Sequence, residues 1–95
     1  MIQNEKPLKD AIREFVEYYK LEKKLNEITL IEKWEEVTGK IIAKHTTNIF
    51  IDKRTLFVEV DSSIVRSELS LMKSEIITRL NSFLNRPLID KIVLK

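Results

Sequence analysis

The chain reads as an α+β protein, a two-layer helix–sheet sandwich with the element order ααββαβ and a three-stranded sheet. Two changes of hydrophobic period predict this. Apolar residues recur every three or four positions up to His45, alternate with polar or outward-facing ones between Ile49 and Val60, and return to the helical period from Val65. Size is the third observation. Ninety-five residues, 43% hydrophobic and 34% charged, suffice for one modest core and are too apolar for disorder. The chain is therefore expected to be a single domain, residues 1–95, with an N-terminal helix in 1–26 and the core in 27–95.

Residues 8–25 form the first predicted helix. Leu8, Ile12, Phe15 and Tyr19 follow at spacings of 4, 3 and 4, and Pro7 stands where a first helical turn tolerates it. Next, the stretch TLIE (Thr29 to Glu32) matches a capping box, so a second helix is expected to start near Leu30. Its stripe is Leu30, Trp34, Val37 and Ile41, with Ile31, Thr38, Ile42 and His45 alongside. On that stripe Trp34 is a core residue rather than a base-stacking one. Gly39, the single glycine, falls inside the same helix, where it costs about 1 kcal/mol relative to alanine. Gly39 and Ala43 lie one turn apart, and a small-residue row of this kind lets another element approach the backbone closely. Its expected role is structural.

The period then shortens. Ile49 and Ile51 flank Phe50, and Leu56, Val58 and Val60 alternate with Phe57 and Glu59, with the polar turn DKRT between the two runs. This is a β-hairpin with one face on the core. Asp61, Ser62 and Ser63 are three consecutive N-cap residues. A third helix of about 20 residues follows, carried by Val65, Leu69, Met72, Ile76, Leu80 and Phe83 and widened by Ile77 and Leu84. Leu69 is assigned to the core. Asn85 followed by Pro87 is a helix stop, and IDKIVLK is the last strand. The β–α–β order predicts that the last strand joins the hairpin, with the helices on one face.

Composition excludes several chemistries. One histidine and no cysteine cannot build a zinc site, and no Gly-rich loop is present to cradle a phosphate or a dinucleotide. The only imidazole, His45, stands at a helix end, where a capping or half-buried role is expected. No nucleophile, base and oxyanion donor can be assembled, so the chain is read as non-enzymatic, with no cofactor, metal or small-molecule substrate. No apolar run reaches membrane-spanning length, and MIQNEKPLKDAIREF lacks the apolar segment of a signal peptide. A cytoplasmic protein without membrane contact is expected.

The net charge of +2 arises entirely after residue 45, where eight Lys and Arg face six Asp and Glu. The bias permits nucleic-acid binding without demanding it. The basic residues best placed for phosphate contact are Lys40 and Lys44 on the second helix, Lys53 and Arg54 in the hairpin turn, and Arg66 in the first turn of the third helix. They can act together only where they share a face. A cation gains nothing from the dipole at a helix start, so Glu68 or Asp61 is the expected partner of Arg66.

With these residues placed, the chain resembles the bacterial DciA-related family. The resemblance is carried by Trp34, Val37, Gly39, Ile42 and Ala43, by His45-Thr46, and by Leu56, Val58 and Val60. It continues through SSIVRSEL (Ser62 to Leu69), IITRLN (Ile76 to Asn81) and the closing IDKIVL. The chain departs from the pattern at Val65, where many members carry an aromatic residue, and at Asn85, where many carry glycine. The resemblance implies a KH-like fold, though without the GXXG loop of true KH domains. It further implies a short form lacking the basic tail of longer members. In function it implies an accessory factor that helps load the DnaB-type replicative DNA helicase and touches single-stranded DNA weakly. The rival expectations are a protein-interaction module without a nucleic-acid role, homodimeric through the first helix or the sheet edge, and an RNA-binding KH-like protein.

Overall fold

The computed structural model describes residues 5–84 and 86–95; the helix stop expected at Asn85 lies outside them. The elements are α1 (Glu5–Thr38), α2 (Lys40–Lys44), β1 (Thr46–Asp52), β2 (Thr55–Val60), α3 (Ser63–Leu71), α4 (Lys73–Phe83) and β3 (Lys91–Leu94). The sheet order is β1-β2-β3, antiparallel between β1 and β2 and parallel between β2 and β3. The α+β architecture with a three-stranded open sheet is as expected from the hydrophobic periods.

The break between the first two helices falls elsewhere than expected. No residue from Leu25 to Leu30 is glycine or proline, so α1 runs through this stretch and Thr29 and Glu32 sit mid-helix instead of capping a new one. Backbone hydrogen bonds within the helix outcompete the capping box. The chain turns only at Gly39, the N-cap of α2, with φ 95° and ψ 165°. That conformation is essentially open to glycine alone. Its N–H still donates to the Glu35 carbonyl (2.7 Å) and its carbonyl still accepts from the Ala43 N–H (3.1 Å).

The turn resets the helical phase. Extrapolated from Val37, the stripe would bury Ile41; instead Ile41 is 73% exposed and Ile42 only 7%. A Cβ built at Gly39 meets nothing within 4 Å, so the expected close approach along a Gly39–Ala43 row is not its reason. The glycine is structural through its dihedral angle.

Core packing follows the alternation. Leu56, Val58 and Val60 of β2 are buried against Leu30, Trp34 and Val37 of α1, Val65 and Leu69 of α3, and Ile76 and Leu80 of α4. Trp34 donates its indole N–H to the Thr46 hydroxyl (2.9 Å), which itself donates to the Ile42 carbonyl (2.7 Å). That chain fixes α1, α2 and the start of β1 together. The expected single third helix is two. At Met72 (φ −112°, ψ 8°) the backbone leaves the helix, and its N–H bonds back to Leu69 rather than one residue earlier. Ser70 donates to the Ser67 carbonyl (2.6 Å), a back-bond of the kind that bends helices. Ser62 caps α3 as expected, accepting from the Val65 N–H (3.3 Å). At the far end Leu84, and not Phe83, completes the buried stripe.

Asn81 organises the return to the sheet. Its Oδ1 accepts from the N–H groups of Leu88 (3.1 Å) and Ile89 (2.9 Å), and its amide donates to the Ile89 carbonyl (2.9 Å). The outer face of the sheet carries Phe50 stacked on Phe57 (ring centroids 4.9 Å apart), with the Lys95 ammonium 5.6 Å from the Phe57 ring. Only the C-terminal half of α1 covers the sheet. Residues 7–21 are exposed on every face and draw the molecule out to 65 × 22 × 19 Å.

Candidate partner and nucleic-acid surfaces

The five cations selected from the sequence divide between the two ends of the hairpin. Lys53 and Arg54 form its tip. Both have positive φ (48° and 66°), the signature of a type I′ turn, in which the hairpin twist is matched by left-handed central residues. These positions favour Asn and Gly, so Lys-Arg here is held by other contacts. The Arg54 guanidinium binds the Asp90 carboxylate through two nitrogens, one contact at 2.8 Å, and the Arg54 carbonyl accepts from the Asp90 N–H (2.8 Å). Hydrogen bonding to Arg54 holds the Asp90 carboxyl below its ordinary range, and the same bond raises the Arg54 pKa above its usual value.

Beside this tip lies a groove of about 240 Å³. One wall is α1, with Tyr19, Glu22, Lys23 and Asn26; the other is Ile51 to Arg54 and the segment from Arg86 to Leu88. Glu22 is buried and receives a hydrogen bond from Arg86 (2.8 Å). Asn26 is 5% exposed and faces the same way. None of Glu22, Asn26, Arg86 or Asp90 stood out in the sequence. A buried Glu paired with an exposed Arg 64 positions away leaves no local pattern to detect.

Lys40, Lys44 and Arg66 gather at the other end of the hairpin, about 20 Å away by the rise of the six-residue β2. The five therefore make no single track. Arg66 does not pair with Glu68 or Asp61; its guanidinium donates to the Val60 carbonyl (3.2 Å) and closes the end of β2. Asp61 is taken by His45, whose Nδ1 lies 2.8 Å from its carboxylate. That contact, with the Asp61 N–H on the His45 carbonyl (3.0 Å), joins the end of α2 to the end of β2. The capping place expected for His45 is where the structure puts it.

At this end the phase reset also creates an apolar surface. Ile41 on α2 and Ile64 on α3 (75% exposed) line opposite sides of a shallow groove that includes Gly39, Lys40 and Glu68. Two exposed isoleucines rimmed by Lys40 and Glu68 have the anatomy of a protein-binding patch, apolar at the centre and charged at the edge. The helical stripe places Ile41 in the core, and no pattern in the sequence marks Ile64. Trp34 and Leu69, the other residues assigned structural roles, are both buried.

Among the described residues no group of three or more His, Asp or Glu side chains could hold a metal ion, and no helix is long and apolar enough to cross a membrane. No curated protein and no solved structure matches the chain significantly. A family does: the one described as "Dna[CI] antecedent, DciA" matches residues 7–94, from the first turn of α1 to the last residue of β3. Since that match takes in nearly the whole chain, the protein belongs to the DciA family.

Proposed function

We propose that this protein is a non-enzymatic adaptor that binds the replicative DNA helicase and assists its loading, with weak contacts to single-stranded DNA. The DciA family is associated with loading of the DnaB helicase and is a non-enzymatic, loader-type family. The observation that carries the reading is the extent of the family match, residues 7–94, which includes every element that builds the Ile41–Ile64 patch. That patch is the helicase contact in this reading. Lys53 and, at the opposite end, Lys40 and Lys44 supply the phosphate contacts. Arg54 and Arg66 contribute less, since each is already engaged with Asp90 or Val60.

Titrating the protein into the replicative helicase of its own organism by calorimetry tests the reading. Saturable binding that Ile41→Asp and Ile64→Asp each abolish is expected. No heat and no co-elution at high concentration would sink it.

A second reading, an interaction module without a nucleic-acid role, is favoured by the division of the five cations between two ends. Salt separates the two. Phosphate contacts make affinity for single-stranded DNA fall steeply as salt rises, and Lys53→Ala should flatten that slope by about one unit. If no DNA binding is found at low salt, the second reading stands.

A further inference from the structure

The exposed half of α1 is an amphipathic helix with its apolar side uncovered. At about 100° per residue, Leu8, Ile12, Phe15 and Tyr19 fall within about 60° of one another, in the alternating spacing of a coiled-coil seam. All four are exposed, Phe15 by 67%. The same angular sector farther along α1 holds Asn26, Leu30 and Val37, which are buried against the body. One edge of the seam is basic: Lys23, Lys20 and Arg13 follow it within the next ~100°. The opposite edge carries Ala11, Tyr18 and Glu14 and no cation, while Asp10 and Glu17 lie at the back.

We propose that residues 8–23 are a docking site for an amphipathic helix of a partner protein whose apolar stripe is bordered on one side by Asp and Glu. This inference does not depend on the partner being the helicase, whose assigned patch lies elsewhere. Three observations select this occupant. Seam spacing suits a helix, read through anchors at three- and four-residue intervals, with Phe15 and Tyr19 as the large central ones.

A second copy fits poorly. In an antiparallel pair, a two-fold axis lays the same edge of each helix side by side, so Arg13 and Lys20 of both copies would meet. In a parallel pair both bodies would project from the seam side and collide. A flat anionic membrane fits poorly too. The hairpin tip and the Arg86–Leu88 segment stand on the seam side of α1 just beyond Tyr19 and hold a plane away from it. A single helix can lie along the seam and end against that shoulder.

The test uses the whole chain and two synthetic amphipathic peptides of the same length and apolar stripe, one with glutamate and one with lysine along one edge, followed by fluorescence anisotropy. Saturable binding of the glutamate peptide is expected, lost in Phe15→Asp. It should weaken about tenfold when Arg13, Lys20 and Lys23 are replaced by Glu, a change that should also turn preference to the lysine peptide. Phe15 is exposed, so an unchanged circular dichroism spectrum and melting point show that the variant still folds. The proposal is overturned by any of four results. These are equal affinity for both peptides, binding to neither, a dimer of the free chain that Phe15→Asp dissociates, and binding to anionic phosphatidylglycerol vesicles in place of peptide.

Discussion

Arg54 and Asp90 stand 36 positions apart and form a two-point ion pair that ties the tip of the hairpin to the residue before β3. Since β3 joins the sheet by a parallel pairing with β2 that starts at Thr55 and Lys91, the clamp sits at the first rung of that ladder. It fixes the register where no hairpin turn can do so.

The clamp predicts a pH dependence with a definite sign. Asp90 is held below its ordinary pKa of 3.8, first by the Arg54 hydrogen bond. A carboxyl depressed in the folded state contributes stability above its unfolded pKa, and that contribution disappears as pH falls through the folded value. The melting-point difference between wild type and Asp90→Asn should therefore be constant at neutral pH and shrink to nothing in strong acid. Proton titration followed by NMR should show the Asp90 carboxyl returning upward in Arg54→Ala. An unchanged Asp90 titration in that variant would show that the pair does not hold in solution.

Gly39→Ala separates two explanations of the single glycine. Space for the methyl is open, with nothing within 4 Å, so no clash arises. The φ of 95° is the obstacle. A loss of about 1–3 kcal/mol in urea unfolding is expected from backbone strain alone. A neutral or stabilising result would mean that α1 and α2 can merge into one helix without cost.

The phase reset is testable with a neighbouring pair. Ile42→Ala should lose about 2–5 kcal/mol, as a buried isoleucine does. Ile41→Ala should stay within about 0.5 kcal/mol. Equal losses, or the reverse order, would restore the uninterrupted stripe.

Hydrogen exchange should divide α1. Amides of residues 10–21 have only intrahelical bonds and no packing, so they should exchange orders of magnitude faster than those of residues 30–37. Uniform protection along the whole helix in the free protein would show that the N-terminal half is already covered.

Much of the fold was legible because local pattern and burial agree. The alternation of Leu56, Val58 and Val60, the Ser62 cap and the buried stripe Val65, Leu69, Ile76 and Leu80 appear where periodicity puts them. Pattern and structure part where a local signal meets a stronger competitor. The Thr29–Glu32 box loses to a continuous ladder of helical hydrogen bonds, and the break at Met72, beside a Ser70 back-bond, leaves no hydrophobic trace. Gly39 announced itself by its rarity, yet composition cannot tell a glycine needed for its dihedral angle from one needed for its size. At the candidate surfaces the cations were visible singly. Their separation to two ends of a hairpin, and the engagement of Arg54 and Arg66, are tertiary facts. The stripe of Leu8, Ile12, Phe15 and Tyr19 was also visible, but nothing in a hydrophobic pattern says which helical face remains bare.

That bare stripe leaves the domain indifferent to its own N-terminal residues. Substitutions at exposed, unpacked helical positions change stability by no more than about 0.5 kcal/mol, too little to threaten folding. Residues 8–21 can thus drift or be re-engineered while the body stays intact. If that stripe docks a partner helix as proposed, a change of partner would need no rebuilding of the core.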